Sequence, residues 1–331
     1  MADTRFDIVA LGNAIVDVIS PVDDDFLQTW EITRDSMSLI EEDRAQALIN
    51  AAAGTEHSGG SAANTVAGIA SFGAKTGYIG KVANDRLGKA FRTDMEASNI
   101  PFETTPLTDG PATACSIIFV TPDGSRSMNT FLGASVMFAA SDVDAGMITD
   151  AGILYLEGYL FDREEAKGAF VYAAEIAAKA GRKVSLTLSD SFCVDRHRDS
   201  FRDLIKNHVD ILFANEAELL SLYQTENFDE AVAKLREDSP LAAITRGAEG
   251  STIISADGVI HANAEPVAEV VDTTGAGDQY AAGFLFGLSR ALPLDQCARL
   301  GHLAAAEVIS HYGPRPETSY RELALASGVK L

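Results

Sequence analysis

Between residues 150 and 255 the chain alternates two hydrophobic rhythms. Short apolar runs at Gly152–Leu156, Val184–Leu188, Ile211–Ala214, Ala242–Thr245 and Thr252–Ser255 have the length of buried strands. Between the first four lie stretches with helical spacing: Arg163–Lys179, Ser200–Asn207, and Glu216–Leu222 followed by Phe228–Glu237. Strands alternating with helices predict parallel pairing through right-handed crossovers, hence an α/β fold with a doubly wound, mostly parallel sheet. Two further helices, Ala276–Ala291 and Leu294–His311, close the pattern.

Upstream, Phe6–Leu11 and Lys75–Gly80 read as strands. Glu41–Ala53 reads as a helix with Ala45, Leu48, Ile49 and Ala52 on one face, and Ser61–Ser71 as a helix of small residues. The rhythm breaks at 14–44 and 100–134. The second break holds an apparent hairpin, Cys115–Val120 and Arg126–Met128 around the turn Pro122-Asp123-Gly124. The natural division is an α/β body of residues 1–13, 45–99 and 135–331, with 14–44 and 100–134 as a small β lid. Such a lid covers the carboxyl ends of the strands, where open α/β sheets bind ligands.

Composition narrows the partners. Of 331 residues 47% are hydrophobic, enough for a large core, yet no run approaches the ~18 apolar residues of a membrane span. The opening Met-Ala-Asp-Thr-Arg-Phe reads as the approach to a first strand and not as a signal peptide. Lys and Arg total 26 against 48 Asp and Glu, a net charge of −22 that repels nucleic acid. An anionic substrate such as ATP must then be held by local amides, a metal and a few arginines. Three scattered cysteines, Cys115, Cys193 and Cys297, form neither a disulfide frame nor a zinc site, which fits a reducing, cytoplasmic setting. Nothing decides between a monomer and a homodimer.

Common nucleotide motifs fail. Gly88-Lys89 lacks the first Gly of a Walker A loop, Gly275-Ala276-Gly277 lacks the third Gly of a dinucleotide fingerprint, and His197-Arg198-Asp199 has Leu204 where a protein-kinase loop needs Asn.

The strongest chemical signal is Asp272-Thr273-Thr274-Gly275-Ala276-Gly277-Asp278, which follows the strand-like Ala268–Val271 and opens a helix. Gly275, Ala276 and Gly277 let backbone N–H groups converge at a helix N-terminus, an anion cradle suited to a transferring phosphoryl group. Asp278, in the first turn, is placed to accept a proton from an attacking hydroxyl. An ordinary capped helix start explains one Gly, not two Gly with two Asp.

Other pieces are weaker alone. Asn13 ends the first strand with Asp17 beyond it, and Gly59 and Gly60 precede Asn64; these suit paired sugar hydroxyls, or a tight turn with Ser61 as N-cap. Asn215 and Glu218 share a helix start and can order Mg²⁺ waters, although a simple cap is the better local reading. Thr245, Gly247 and Gly250 turn at a strand end and can line a nucleotide or make a plain β-turn. By local sequence His302 reads as a core residue and Arg126 as surface charge.

These blocks, in this order from Phe6 to about Pro316, resemble the ribokinase/PfkB-type carbohydrate kinase family, and within it the adenosine kinases. The ribokinase-like fold is implied, with ATP and Mg²⁺. By that resemblance Asp278 is the base and Gly275, Ala276 and Gly277 the anion hole. Asn13, Asp17, Gly60 and Asn64 hold a ribose; Asn215 and Glu218 organise Mg²⁺; Thr245 and Gly247 touch ATP; His302 lies near its adenine; and Arg126 swings in from the lid. A monovalent-cation loop, for K⁺, falls at Asp272, Thr274 and Gly313. Ser61 and Glu157 depart from common family patterns.

The expected activity is ATP-dependent phosphorylation of a nucleoside 5′-hydroxyl, adenosine foremost. A kinase for free ribose or fructose is the alternative, and a non-catalytic nucleoside or sugar binder the third reading. A nucleoside needs apolar walls for its base, for which Met37, Phe131 and Tyr159 are candidates, with Phe119. All four can equally be lid core.

Overall fold

The computed structural model describes residues 4–329 and 331. In chain order its strands are β1 (Phe6–Leu11), β2 (Ile15–Pro21), β3 (Met37–Leu39), β4 (Thr55–Gly59), β5 (Thr76–Ile79), β6 (Ala114–Val120), β7 (Arg126–Phe131), β8 (Ala151–Glu157), β9 (Lys183–Thr187), β10 (Ile211–Asn215), β11 (Leu241–Thr245), β12 (Ser251–Ser255) and β13 (Gly258–Ala262). The reading of the first residues against a signal peptide rests partly on positions 1–3, which lie outside the described residues, as does position 330.

Eight strands form one sheet in the order β13-β12-β11-β10-β9-β8-β1-β5. From β5 to β11 every pair is parallel, and β12 and β13 add antiparallel at the edge. Successive residues of a strand bury into opposite layers. Ile8 and Ala10 join one apolar cluster while Val9 and Leu11 join the other; Phe213 and Leu212 divide the same way. Both faces are therefore covered, as a parallel sheet requires. Helices Ser61–Ser71, Ala276–Ser289 and Leu294–Val308 pack on the first face, and Glu164–Lys179, Ser191–His208, Glu216–Tyr223 and Phe228–Asp238 on the second. Chain order reverses at β1, which continues to β5 on one side and meets β8 on the other. The crevice at the carboxyl end of β1 is thus the topological switch point.

The other five strands form a second sheet, β3-β7-β6-β2-β4. The hairpin read from sequence is present, with β6 and β7 paired from Cys115–Phe131 to Val120–Arg126. Strand β4, assigned by sequence to the larger body, pairs antiparallel with β2 and so belongs to this lid sheet. Its short, polar Thr-Glu-His-Ser-Gly run carries no core pattern, because only Ser58 and Gly59 are buried.

Three local readings change. Ala268–Val271 is not a strand: it pairs with neither sheet, its Val270 lines a cleft, and Val271 N–H ties it to the body through Ile309 O at 2.8 Å. Strand β13 itself was not anticipated. The helix expected at 200–207 follows a shorter helical segment that starts at Ser191, where the Asp190 carboxylate caps Phe192 and Cys193, and a kink at His197 (φ of −128°) separates the two. Among the described residues no helix is long and apolar enough to cross a membrane.

Candidate active site

Of the three amides that the sequence offers as an anion cradle, the one at Ala276 is already bonded within the loop. Gly275 precedes helix Ala276–Ser289 with φ of 79°, where a side chain would be strained, and a Cβ there would lie 2.7 Å from Pro314 Cα. The Ala276 N–H is spent on Thr273 O at 3.2 Å. The first i→i−4 bond is Gln279 N–H to Gly275 O at 2.9 Å, so the amides of Gly277 and Asp278 precede the helical ladder. A Cβ on Gly277 would meet nothing within 4 Å. The helix N-terminus therefore opens onto free space with donors facing it.

Asp278 sits beside that opening, held from the other half of the fold. Ser61 donates its hydroxyl to Oδ1 at 2.5 Å, and Asn64 donates Nδ2–H to Oδ2 at 3.0 Å. Burial pushes its carboxyl up to about 6, opposed by these two donors and by the charge of Arg315. At neutral pH the group is ionised and close to its pKa, the condition a general base needs. The N-cap of helix Ser61–Ser71 is Gly60 and not Ser61: Gly60 takes φ of 95°, and a Cβ there would collide with Asn13 O. Ser61, relieved of capping, turns to Asp278.

Asp17 and Asn13, which the sequence offered as sugar-binding residues, lie close by. The Asp17 carboxylate lies against Gly59, where any Cβ would overlap it. Burial raises Asp17 to about 7, with Asp278 adding to the effect and Arg315 and Arg126 opposing it. Asn13 is tied to Glu157, which is 1% exposed: its backbone N–H and Nδ2–H donate to Oε1 at 3.2 and 3.0 Å, and Ala62 N–H donates to Oε2 at 2.7 Å. Burial pushes Glu157 to about 7 despite these three donors.

Across the loop lies a cleft of about 540 Å³. Thr245, Gly247, Gly250 and His302, separated in sequence, share its lining with Ala276 and Gly277. His302 is buried, its Nε2 2.9 Å from Ser251 Oγ and its ring edge-on to Tyr280, and burial lowers it to about 4. It is neutral at physiological pH and offers a flat, uncharged wall.

Asn215 and Glu218 take the capping geometry. Asn215 Oδ1 accepts Glu218 N–H at 2.8 Å, while Asn215 N–H and Nδ2–H donate to the Glu218 carboxylate at 3.0 and 2.7 Å. Burial raises Glu218 to about 7, with the charges of Asp190 and Asp278 adding to it. Among the described residues no group of three His, Cys, Asp or Glu is placed to hold a metal together.

Arg126 is not a surface charge. From β7 of the lid it reaches the glycine loop, pairing through Nη1 with Asp272 Oδ2 at 2.9 Å and lying over the Tyr312 ring. Its Nε and Nη2 are buried without a partner. Asp272 also accepts Thr274 N–H and Oγ1–H at 3.0 and 2.7 Å and Gly313 N–H at 2.9 Å. Asp272, Thr274 and Gly313 thus do form one loop cluster, and the cation paired with it here is a guanidinium.

The proposed base walls divide. Phe131 is in the buried apolar cluster with Phe119, because alternation along β7 turns it inward. Met37 is 51% and Tyr159 41% exposed. Desolvation, with the carboxylates of Asp190, Asp278, Glu218 and Glu157, holds the Tyr159 hydroxyl above its ordinary value.

Sequence reasoning missed Arg315. Its Nε donates to Asn64 Oδ1 at 2.9 Å, 251 residues away. An arginine locked between two prolines after Gly313 was the available signal.

Comparison with known proteins agrees with this geometry. The profile of the pfkB family carbohydrate kinases matches residues 7–319. A probable sugar kinase from Rhizobium etli is 48% identical with a TM-score of 0.91, over 98% of this chain and 99% of that one. The adenosine kinase from Sinorhizobium meliloti is 47% identical with a TM-score of 0.90, over the same shares. The 5-dehydro-2-deoxygluconokinase of Shouchella clausii is 26% identical over 319 residues, 93% of this chain and 91% of that protein. With the glycine cradle, the switch-point crevice and a match running almost from end to end, the chain belongs to the PfkB family of carbohydrate kinases.

Proposed function

We propose that this kinase transfers the terminal phosphoryl group of ATP to the 5′-hydroxyl of a nucleoside, adenosine first, with Asp278 as general base. The observation that carries the reading is the Asp278 carboxylate, fixed by Ser61 and Asn64 beside the open face of Gly277. The acceptor hydroxyl loses its proton to Asp278 as its oxygen attacks phosphorus in line, and the bond to the ADP oxygen breaks. The amides of Gly277 and Asp278 face the charge on the transferring group, and the two unpartnered nitrogens of Arg126 add donors from the lid. Asn13 and Asp17 bind the ribose hydroxyls. The cleft of Thr245, Gly247, Gly250 and His302 takes the nucleotide. Asn215 and Glu218 are the residues that would hold Mg²⁺, which would supply charge neutralisation on the phosphates. Asp272, Thr274 and Gly313 would hold K⁺, which would supply positive charge to that loop where the Arg126 guanidinium now pairs with Asp272.

Nucleoside is preferred because the Sinorhizobium meliloti adenosine kinase shares almost half its sequence over 98% of this chain, and because Met37 leaves apolar surface exposed on the lid and Tyr159 on the body just after β8. A free-sugar acceptor is the second reading. The buried Glu157 favours it, since a carboxyl beside Asn13 adds a polar floor to the crevice. ADP release with ATP and Mg²⁺ fixed, against adenosine, inosine, guanosine, cytidine, ribose and fructose, separates them. Preference for adenosine supports the proposal; preference for ribose or fructose overturns the acceptor while keeping Asp278.

A further inference from the structure

The Gly-Pro-Arg-Pro stretch at 313–316 carries a side chain that the account above leaves without a task. Arg315 reaches the junction between β4 and helix Ser61–Ser71. Its Nε donates to Asn64 Oδ1 at 2.9 Å, and its Nη2 donates to Ser58 O and Oγ, both at 2.8 Å. The loop that presents it is itself fixed. Gln279, fully buried one residue after Asp278, donates Nε2–H to Pro314 O at 2.8 Å and to Asn64 O at 3.0 Å.

The two ends of an Asn amide differ only in which atom donates. A guanidinium has no acceptor, so the end facing Arg315 must be the oxygen. The NH₂ group is then left facing Asp278 Oδ2 at 3.0 Å. In the reverse orientation, donor would oppose donor at Arg315, and a carbonyl oxygen would oppose a carboxylate at Asp278. With Ser61 on Oδ1, each carboxylate oxygen has one donor and the carboxylate plane is set.

We infer that Arg315 is a positioning residue for phosphoryl transfer: by fixing the orientation of the Asn64 amide, it holds the Asp278 carboxylate toward the acceptor hydroxyl. The inference rests on Asp278 being the base. Arg315 acts through Asn64 and touches no reacting atom.

A double-variant cycle tests it, using the full chain, ATP, Mg²⁺ and the best acceptor of the panel. Arg315→Met is expected to lower kcat by about 10–100-fold, to leave KM for ATP within about twofold, and to add no more than about twofold to the loss in Asn64→Ala. Arg315→Gln keeps a donor for Asn64 without the charge and is expected to recover part of kcat. The acid limb of kcat moves to higher pH in both Arg315 variants, because the guanidinium charge is gone. Ser61, facing the Asp278 carboxylate, and the carboxylates of Glu157 and Glu218 further off keep their surroundings in both, while Asp17, which the Arg315 charge also holds down, moves in the same direction, and Asp94 loses the same neighbour. Losses in Arg315→Met and Asn64→Ala that multiply would overturn the inference, as would Arg315→Met with wild-type kcat and pH profile. Should Arg315→Met fail to fold, the same comparison made with Arg315→Gln decides. Asp278→Asn, assayed alongside, separates the two levels: wild-type turnover there removes the base and this inference with it, whereas lost turnover there with multiplying losses at Arg315 and Asn64 removes only the inference.

Discussion

Ser61 and Asp278 stand 217 residues apart and meet through a 2.5 Å hydrogen bond from hydroxyl to carboxylate. That contact joins the small-residue helix after the lid to the helix that opens at the glycine cradle, and it makes the hydroxyl part of the base's environment. Ser61→Ala removes a donor that favours the ionised form. A charge-assisted bond of this kind is worth about 2 kcal/mol, so kcat is expected to fall by roughly tenfold or somewhat more. The acid limb of the rate profile, near 6 in the wild type, moves to higher pH. A pH series of initial rates checks both; an unmoved limb would show that Ser61 does not act on the base.

Arg126 tests the lid. Its pairing with Asp272 and its two unsatisfied nitrogens predict a side chain ready to exchange one anion for another. Arg126→Ala should reduce kcat by about 10²–10³-fold, the range for a lost transition-state donor, with a much smaller change in KM for the acceptor. Equal effects on kcat and acceptor KM would place Arg126 in ground-state binding instead.

Two glycines on one helix separate chemistry from packing. A methyl on Gly277 meets nothing, so Gly277→Ala should melt within a degree or two of wild type yet lose turnover as the methyl enters the phosphate space. A methyl on Gly283 would run into Leu300 O, where helices Ala276–Ser289 and Leu294–Val308 touch. Gly283→Ala should therefore lose about 1–3 kcal/mol of stability, the usual cost of overpacking. Thermal melts and steady-state rates on both variants read the contrast directly.

Glu157 makes stability depend on pH in a direction opposite to that of a salt-bridged carboxylate. Its folded pKa of about 7 exceeds its ordinary 4.5, so between those values the folded state binds the extra proton. The contribution is full below pH 4.5 and disappears as pH rises through 7, a change on the order of 3 kcal/mol for this buried group. Asp17 and Glu218 slope the same way. Unfolding free energy should therefore fall from pH 5 to pH 8, and Glu157→Gln, although less stable overall for want of matching acceptors at Asn13 and Ala62, should show a flatter slope. A wild type that gains stability over this range would contradict the burial account.

What the sequence disclosed was local. The α/β rhythm of 150–255 rests on periodicity within each element, and Asp278 with its glycines lies within seven consecutive residues. What stayed hidden is made by contacts across the chain. Strand β4 is too short and polar to announce which sheet it joins, and Val267 to Val271 has a strand's composition but borders a cleft. Arg126 looked like surface charge until Asp272, 146 positions on, came to face it. Arg315 and Asn64 are joined only by the fold.

The central claim is that Asp278 takes the proton, and Asp278→Asn tests it most directly. Turnover should collapse by several orders of magnitude while ATP and the acceptor still bind, read by calorimetric or fluorescence titration of the same preparation, since the amide keeps the shape and loses the base. Turnover at the wild-type level would contradict the account.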